Sequence, residues 1–255
     1  MVRLASACLA LAALLAAPAT AGIARVAAAS DLSFALEEIA AAFARETGHE
    51  ARLTFGSSGN LARQIREGAP FELFLSADES YVELLEKAGR TDGAGMLYAT
   101  GRIVVFAPAG SHVAVDGELA GVRGALVAGR LMRLAIANPE HAPYGRAARE
   151  ALQRAGAWEL ARGRLALGEN VSQAAQFALI GSVDAAIIAY SLVLTPAFRG
   201  KGAYALVPES LHAPLRQRMV LMKSAGGAAR ELYRFIGSST ARPVLERYGF
   251  GIAAR

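Results

Sequence analysis

The sequence predicts an α/β fold of two lobes, each a mostly parallel β-sheet flanked by helices, with a ligand cleft between the lobes. Short apolar runs alternate with amphipathic helical segments along the chain, which is typical of strand–helix units. Several of these runs end in small or polar turns that open the next helix. The last predicted strand is instead followed by two helices, as expected where a chain leaves one lobe, builds a second and returns.

The first series of elements begins with a buried strand at 23–29. The helix that follows keeps one apolar face and ends at Gly48; its apolar positions are Leu32, Leu36, Ile39 and Phe43. Further strands are predicted at 52–55 and 71–75, with helices after the Gly56–Gly59 turn and at 80–88.

The second series begins with a continuous apolar run at 102–107. Further strands are predicted at 131–137, 165–167 and 183–189, with helices near 144–155 and 171–181. The closing segment is predicted as a strand at 218–222 followed by helices near 227–236 and 240–248. We therefore assign residues 22–104 and 204–255 to lobe I, and residues 105–203 to lobe II.

Residues 1–21 have the features of a secretory signal peptide. Arg3 precedes an apolar stretch from Leu4 to Ala17, and Ala19-Thr20-Ala21 has the small-x-small form of a cleavage site. The stretch is shorter than the ~20 residues that span a bilayer. We expect cleavage after Ala21, and since the only cysteine is Cys8, the mature chain has no thiol.

The chain is basic, with a formal charge of +5. Its arginines are scattered singly and are not interleaved with aromatic residues along one stripe, so a solvated surface is predicted and a nucleic-acid partner is not.

Four helix starts follow predicted strands, and together they predict an anion receptor. The first N–H groups of a helix have no internal partner, and the helix dipole places partial positive charge there. If the four starts meet at one cleft, they can bind an anion without a cationic side chain. They lie at Ala29-Ser30-Asp31, Gly56-Ser57-Ser58-Gly59-Asn60, Ala142-Pro143-Tyr144-Gly145 and Glu169-Asn170-Val171-Ser172.

Each candidate in these turns also has an ordinary structural role. Ser30 suits a helix N-cap, and Ser58 lies in a glycine-flanked turn that lets the backbone approach a ligand. Tyr144 and Val171 offer main-chain N–H groups at helix starts. Tyr190 ends an apolar strand, where ligands of open α/β sheets lie, although a tyrosine at an edge often serves only packing.

Several motifs extend these turns over nearly the whole mature chain. They are Ala27-Ala28-Ala29-Ser30, the run from Phe55 to Ile65, the run from Gly68 to Asp78, Asn138-Pro139-Glu140-His141-Ala142-Pro143-Tyr144-Gly145, and Arg247-Tyr248-Gly249-Phe250. With these motifs the chain resembles the periplasmic molybdate-binding proteins of bacterial ABC importers.

The resemblance implies a type II periplasmic-binding-protein fold that holds a tetrahedral oxyanion, molybdate and also tungstate, between its lobes. It assigns the ligand donors to Ser30, Ser58, Tyr144, Val171 and Tyr190, with no direct metal ligands and no cofactor. It further implies a periplasmic monomer that delivers its ligand to the permease and ATPase of an importer and meets the membrane only through that permease.

Asp31 departs from the family pattern, which has Ser-Leu-Thr or a similar run where this chain has Ser30-Asp31-Leu32. A carboxylate beside a dianion repels it unless the carboxylate is paired or points into the helix start. We expect Asp31 to support its helix N-terminus.

Two alternatives stay open at this point. One is a receptor for another oxyanion, such as sulfate, thiosulfate or phosphate. The other is a hydrolase that uses Ser58 with His141 and Asp31, since triad members meet only in the fold. The turn lacks the Gly-x-Ser-x-Gly elbow, and the four histidines have no metal-ligand spacing, so binding is preferred to catalysis.

Overall fold

The computed structural model describes residues 21–252. Its strands are β1 Ile23–Ala29, β2 Glu50–Gly56, β3 Leu73–Ser76, β4 Met96–Gly101, β5 Ile103–Pro108, β6 Leu134–Ala137, β7 Leu165–Gly168, β8 Ala185–Ala189, β9 Gly202–Leu206 and β10 Leu215–Leu221. Its α-helices are α1 Ser33–Thr47, α2 Ser58–Arg66, α3 Glu79–Lys87, α4 Ala120–Val127, α5 Pro143–Arg154, α6 Trp158–Ala161, α7 Val171–Leu179, α8 Tyr190–Val193, α9 Gly227–Ile236 and α10 Arg242–Arg247.

The strands form two five-stranded sheets with the same plan. The first has the order β2-β1-β3-β10-β4 and the second β7-β6-β8-β5-β9. In each, the first three strands are parallel and the fourth runs antiparallel to both of its neighbours. We call each sheet with its flanking helices a lobe.

This architecture confirms the predicted two-lobed α/β fold. The parallel part of each sheet is built from strand–helix–strand units, as the alternating pattern indicates. The strands β5 and β10 lie near the passages between the lobes and enter their sheets in the opposite direction. Half of the pairings within residues 21–252 are therefore antiparallel, a feature that the strand–helix alternation does not reveal.

The predicted division between the lobes falls within strands rather than between them. The boundary at 104/105 lies inside β5 and the boundary at 203/204 lies inside β9, and both strands belong to the second sheet. The exact limits of each lobe therefore stay a prediction, while sheet membership places 103–206 with the second lobe.

The apolar patterns reflect burial against the sheets. The predicted face of α1 is fully buried, and Gly48 ends the helix in the left-handed conformation that glycine adopts most readily. In β8 every side chain is buried, because helices cover both faces of that strand. The hydrophobic cores therefore lie against the faces of the two sheets.

Within residues 21–252, no helix has the length and apolar character needed to cross a membrane. The predicted signal peptide and its cleavage site lie almost wholly outside the described residues.

Candidate functional site

A small cavity lies between the lobes, at the carboxyl ends of the parallel strands. Parallel strands of an open α/β sheet place their carboxyl ends, and hence their ligands, at one edge. Here the two edges face each other across this cavity, which leaves only about 10 Å³ for the centre of a water-sized molecule. The residues that line this interlobe cavity are Ala29, Ser30, Asp31, Gly56, Ser57, Ser58, Ala77, Ala142, Pro143, Tyr144 and Val171.

The first lobe contributes hydroxyl groups to the interlobe cavity. Ser30 follows β1 directly and begins a short 3-10 turn, and Ser58 is the first residue of α2. The Ser58 side chain is fully buried, and its Oγ accepts a hydrogen bond from the Ala77 N–H at 3.0 Å. This bond fixes the oxygen and leaves the Ser58 O–H to donate elsewhere.

The second lobe contributes helix starts. Pro143 occupies the first turn of α5, where it lacks an N–H that would in any case have no partner, and Tyr144 follows it. Val171 begins α7, which Asn170 caps by accepting from the Gln173 N–H at 3.1 Å. The N–H groups of Tyr144 and Val171 lie in first turns, where no intrahelical acceptor exists.

Gly145 allows α5 to begin this close to the sheet. A Cβ built at Gly145 lies 2.2 Å from the Ala137 carbonyl oxygen, closer than any side chain can approach. The start of α5 is therefore packed directly on the end of β6.

A buried polar network crosses the interlobe cavity and is centred on Asp31. Its Oδ2 accepts hydrogen bonds from the Tyr144 hydroxyl at 2.9 Å and from Gln217 Nε2 at 2.7 Å. Gln217 Oε1 in turn accepts from the Tyr98 hydroxyl at 2.8 Å. Burial raises the pKa of Asp31 to about 6, against the lowering effect of the bonds from Gln217 and Tyr144. Burial and the nearby carboxyl raise the pKa values of both tyrosines well above the usual range.

Asp31 lies in the first turn of the 3-10 helix but is not a side-chain cap, so its expected support of the helix N-terminus through the dipole stays a prediction. Neither the 3-10 turn at 30–32 nor α1 receives a side-chain cap, because the Asp31 carboxyl is turned toward Tyr144 and Gln217 instead. Its second oxygen, Oδ1, is buried and has no hydrogen-bond partner among residues 21–252.

Direct contacts hold the two walls together. Ser172 on α7 donates its hydroxyl to the Ser30 carbonyl at 2.9 Å, and Ser191 on α8 donates its hydroxyl to the Asp31 carbonyl at 2.8 Å. The Gly59 N–H donates to the His141 carbonyl at 2.9 Å. These contacts connect the lobes on several sides, so the structure is that of a closed cleft.

Of the predicted ligand residues, four line the interlobe cavity and Tyr190 does not. Ser30, Ser58, Tyr144 and Val171 all lie on its walls. The Tyr190 ring lies beside the Arg102 guanidinium, with 4.8 Å from the guanidinium carbon to the ring centroid, and beside the Tyr204 ring.

The Tyr190 ring lies outside the interlobe cavity. Tyr190 directly follows the last residue of β8. Its N–H donates to the Arg102 carbonyl at 2.9 Å, which continues the pairing of β8 with β5. The neighbouring Ser191 is the residue that reaches the cleft. A tyrosine at a strand end has two directions available, and the sequence does not show which one it takes.

The hydrolase triad of Ser58, His141 and Asp31 is not assembled. His141 Nδ1 lies 2.8 Å from the hydroxyl of Ser57, while Ser58 is bonded to Ala77. His141 Nε2 faces the exposed Glu169 carboxylate at 3.6 Å. Ser57 and His141 belong to different lobes, so the contact ties the lobes together.

Metal coordination is not supported by the described part of the chain. Residues 21–252 contain no group of three or more histidine, cysteine or acidic side chains placed to hold a metal ion. Among the residues that the structure describes, no lysine or arginine lines the interlobe cavity. The cavity offers neutral donors and one titratable acid, which suits a small anion better than a cation.

Three polar residues at the cleft were not singled out from the sequence. Gln217, Tyr98 and Ser191 are all at most 6% exposed, and they lie far from the predicted turns along the chain. Gln217 interrupts the apolar pattern of β10, and a polar side chain inside a buried strand is the signal that indicates it.

Comparison with known proteins assigns the family. The family described as "Bacterial extracellular solute-binding protein" matches residues 24–251. The chain is 35% identical to the molybdate-binding protein ModA of Rhodobacter capsulatus over 241 residues, which covers 92% of this chain and 91% of that protein. The chain belongs to the ModA group of bacterial extracellular solute-binding proteins.

Further relatives agree with this assignment. ModA of Azotobacter vinelandii is 34% identical over 242 residues, with 94% of each chain covered. The structure of the Azotobacter vinelandii periplasmic molybdate-binding protein superposes with a TM-score of 0.81 at 27% identity, covering 91% of this chain and all of the other. These relatives are named as molybdate-binding proteins, which confirms the family resemblance seen in the sequence. They are binding proteins and not enzymes.

Proposed function

We propose that this chain is an extracytoplasmic receptor for a tetrahedral oxyanion dianion, molybdate and also tungstate, which it delivers to an ABC importer. The observation that carries the proposal is the interlobe cavity, where helix starts from both lobes meet and none of the described lining residues has a cationic side chain. The names of the relatives supply the ion.

The size of the interlobe cavity supports a small inorganic ligand. The space open to the centre of a water-sized molecule is about 10 Å³, which is room for about one such molecule, so only a very small ligand fits. A sugar or a peptide requires a larger space. The donors in the proposal are the hydroxyl groups of Ser30 and Ser58 with the main-chain N–H groups of Ser58, Tyr144 and Val171. Tyr190 is removed from this set because its ring lies outside the cavity.

Neutral donors are sufficient for a dianion when they are fixed in advance. A hydrogen bond to a charged group contributes roughly 1.5 to 3 kcal/mol, so about five of them can offset the desolvation of the ion. Discrimination then depends on size, since donors placed for molybdate leave some groups unpaired around a smaller sulfate. Closure of the lobes around the ion provides the state that a permease recognises.

The cellular setting belongs to the same proposal. We place the mature chain in the periplasm as a monomer, after cleavage of the signal peptide near Ala21, with the permease and ATPase of an importer as partners and no cofactor. The Azotobacter vinelandii relative is named as periplasmic.

A ligand panel tests the proposal. Thermal unfolding and calorimetry of the mature chain with molybdate, tungstate, sulfate, phosphate and thiosulfate should show the largest stabilisation and the tightest binding for molybdate and tungstate. Stronger binding of one of the other three anions would assign the chain to that oxyanion instead.

A pair of serine variants tests the site. Ser30→Ala should weaken molybdate binding by about tenfold or more, since it removes a hydroxyl donor. The control Ser239→Ala changes an exposed serine and should leave the affinity unchanged. Equal affinity in the two variants would contradict the proposed role of Ser30.

A further inference from the structure

The interlobe cavity contains one acidic side chain with an unused oxygen. Asp31 is 2% exposed and lines the cavity. Its Oδ2 already accepts two hydrogen bonds, from Tyr144 and Gln217. Oδ1 has no partner among the described residues although it is buried. A buried polar atom without a partner is costly, so a bound ligand is the natural partner for Oδ1.

The surroundings of Asp31 favour its neutral form. The titratable groups that face it are the hydroxyls of Tyr144 from α5 and Tyr98 from β4. The other polar neighbours, Gln217 from β10 and Ser191 from α8, are uncharged. Burial already raises the pKa of Asp31 to about 6. A dianion placed beside the carboxyl raises that pKa further, because like charges disfavour ionisation.

An ionised Asp31 is incompatible with a dianion in the same cavity. At hydrogen-bond distance two like charges repel strongly in a region that excludes water. A neutral carboxylic acid has the opposite effect, since its O–H is a donor that a ligand oxygen can accept. The same residue therefore repels or binds the ligand according to a single proton.

We propose that Asp31 binds the oxyanion as a neutral carboxylic acid, with Oδ1 carrying a proton that it donates to a ligand oxygen. When the empty site starts ionised, the proton comes from the solvent, so each binding event takes up one proton. This inference rests on the proposed function. It makes Asp31 a specificity-determining residue, because a fully deprotonated dianion accepts this bond, whereas hydrogenphosphate presents its own proton to the same oxygen.

Calorimetry in paired buffers measures the proton directly. Molybdate titrations of the wild type, in buffers with different heats of protonation, should give an uptake of about one proton above about pH 7 and almost none near pH 5. The dissociation constant should rise about tenfold per pH unit above the pKa of the empty site. In Asp31→Asn, whose amide donates without titrating, uptake should vanish and the dissociation constant should not change with pH.

Asp92→Asn is the matched control. It makes the same chemical change at an exposed carboxylate that pairs with Arg230 outside the interlobe cavity. This variant should keep the proton uptake and the pH dependence of the wild type.

An infrared measurement provides a readout that does not depend on any variant's affinity. The molybdate-loaded wild type near pH 8 should show the C=O stretch of a neutral carboxylic acid, and the Asp31→Asn protein should lack it. Its presence in both proteins, or in neither, would overturn the assignment of the proton to Asp31.

The possible failures are distinguishable. Molybdate binding by the wild type with no proton uptake and no pH dependence would overturn this inference and leave the proposed function intact. No molybdate binding at any pH would contradict the proposed function itself. Tighter binding of phosphate than molybdate, without proton uptake, would show that Asp31 accepts a proton from the ligand rather than supplying one.

Discussion

The two lobes share one sheet plan but present different chemistry to the cleft. Each sheet has three parallel strands followed by an antiparallel pair, and each directs the carboxyl ends of its parallel strands toward the other. The first lobe contributes mainly the side chains of Ser30, Asp31, Ser58 and Gln217, together with the Ser58 N–H at the start of α2. The second contributes mainly main-chain N–H groups at the starts of α5 and α7, with the Tyr144 hydroxyl as its principal side-chain donor to the network.

This difference separates two tasks. Main-chain donors at helix starts are fixed by the backbone and respond little to pH, so the second lobe provides a constant field for an anion. The carboxyl group at the interlobe cavity, that of Asp31, lies in the first lobe. Closing the cleft brings the main-chain donors of the second lobe next to the Asp31 carboxyl of the first lobe.

The largest effect is expected from Asp31→Asn, which makes the first lobe as insensitive to pH as the second. The pKa of Asp31 lies at about 6 in the folded chain and near 3.8 when unfolded. Between these values the folded state holds a proton that the unfolded state has lost. The free energy of unfolding therefore falls as pH rises through this window and levels off above it. At about 1.4 kcal/mol per pH unit, the cost of the ionised carboxyl is about 3 kcal/mol.

Denaturant unfolding of the ligand-free protein measures this cost. Asp31→Asn should raise the free energy of unfolding by about 3 kcal/mol near pH 8 and change it little near pH 4. Asp92→Asn should show no such pH-dependent gain, since that carboxylate is exposed. A variant less stable than the wild type near pH 8 would show that the carboxylate stabilises the fold.

A smaller effect is expected from Ser58→Ala, which removes a side-chain donor of the first lobe. The Ala77 N–H would lose its acceptor in a buried place, at a cost of about 1 to 3 kcal/mol in the free energy of unfolding. Molybdate binding should weaken by roughly 1.5 to 3 kcal/mol through loss of the hydroxyl. Unfolding and calorimetry measure the two effects separately, with Ser239→Ala as the control. Unchanged affinity would limit Ser58 to a structural role.

His141→Gln tests the contact between the lobes. It alters the bond between His141 Nδ1 and the Ser57 hydroxyl, and the Glu169 pair adds little because that carboxylate is exposed. Molybdate affinity should fall by about 0.5 to 1.5 kcal/mol, since closure loses one hydrogen bond. Calorimetry gives the affinity, and small-angle scattering of the ligand-free protein should show a larger radius of gyration. Identical values in both measurements would mean that this contact does not stabilise closure.

The smallest effect is expected from Tyr190→Phe. The Tyr190 ring lies beside Arg102 and Tyr204, outside the interlobe cavity, so the dissociation constant for molybdate should stay within about twofold of the wild type. Tyr144→Phe is the contrasting variant, because it removes a hydroxyl that bonds Asp31. A loss of tenfold in Tyr190→Phe by calorimetry would place that hydroxyl at the ligand.

Local pattern in the sequence predicted the parallel part of the fold and most of the cavity wall. Strand–turn–helix units placed Ser30, Ser58, Tyr144 and Val171 at helix starts, and the structure brings these four together. Such positions follow from neighbours in the chain, because a helix start is specified by the turn before it.

Long-range pairing and side-chain direction were not predictable in this way. The antiparallel entry of β10 depends on where the chain returns from the second lobe, and Gln217 reaches Asp31 only because of it. The orientations of the Asp31 and Tyr190 side chains were not determined by the sequence either. Each depends on contacts with residues more than 80 positions away, or on a strand pairing that local periodicity does not contain.

The close contact at Gly59 has a consequence for handling the protein. A Cβ built there lies 2.7 Å from the His141 carbonyl oxygen and 2.8 Å from the Tyr81 hydroxyl, so the lobes can meet fully only while position 59 has no side chain. The side chain of a Gly59→Val variant would contact the other lobe at the rim of the cleft and keep the lobes of the ligand-free protein from closing fully. Such a protein would be a reagent for asking whether a transport complex responds to the separated form or only to the loaded one.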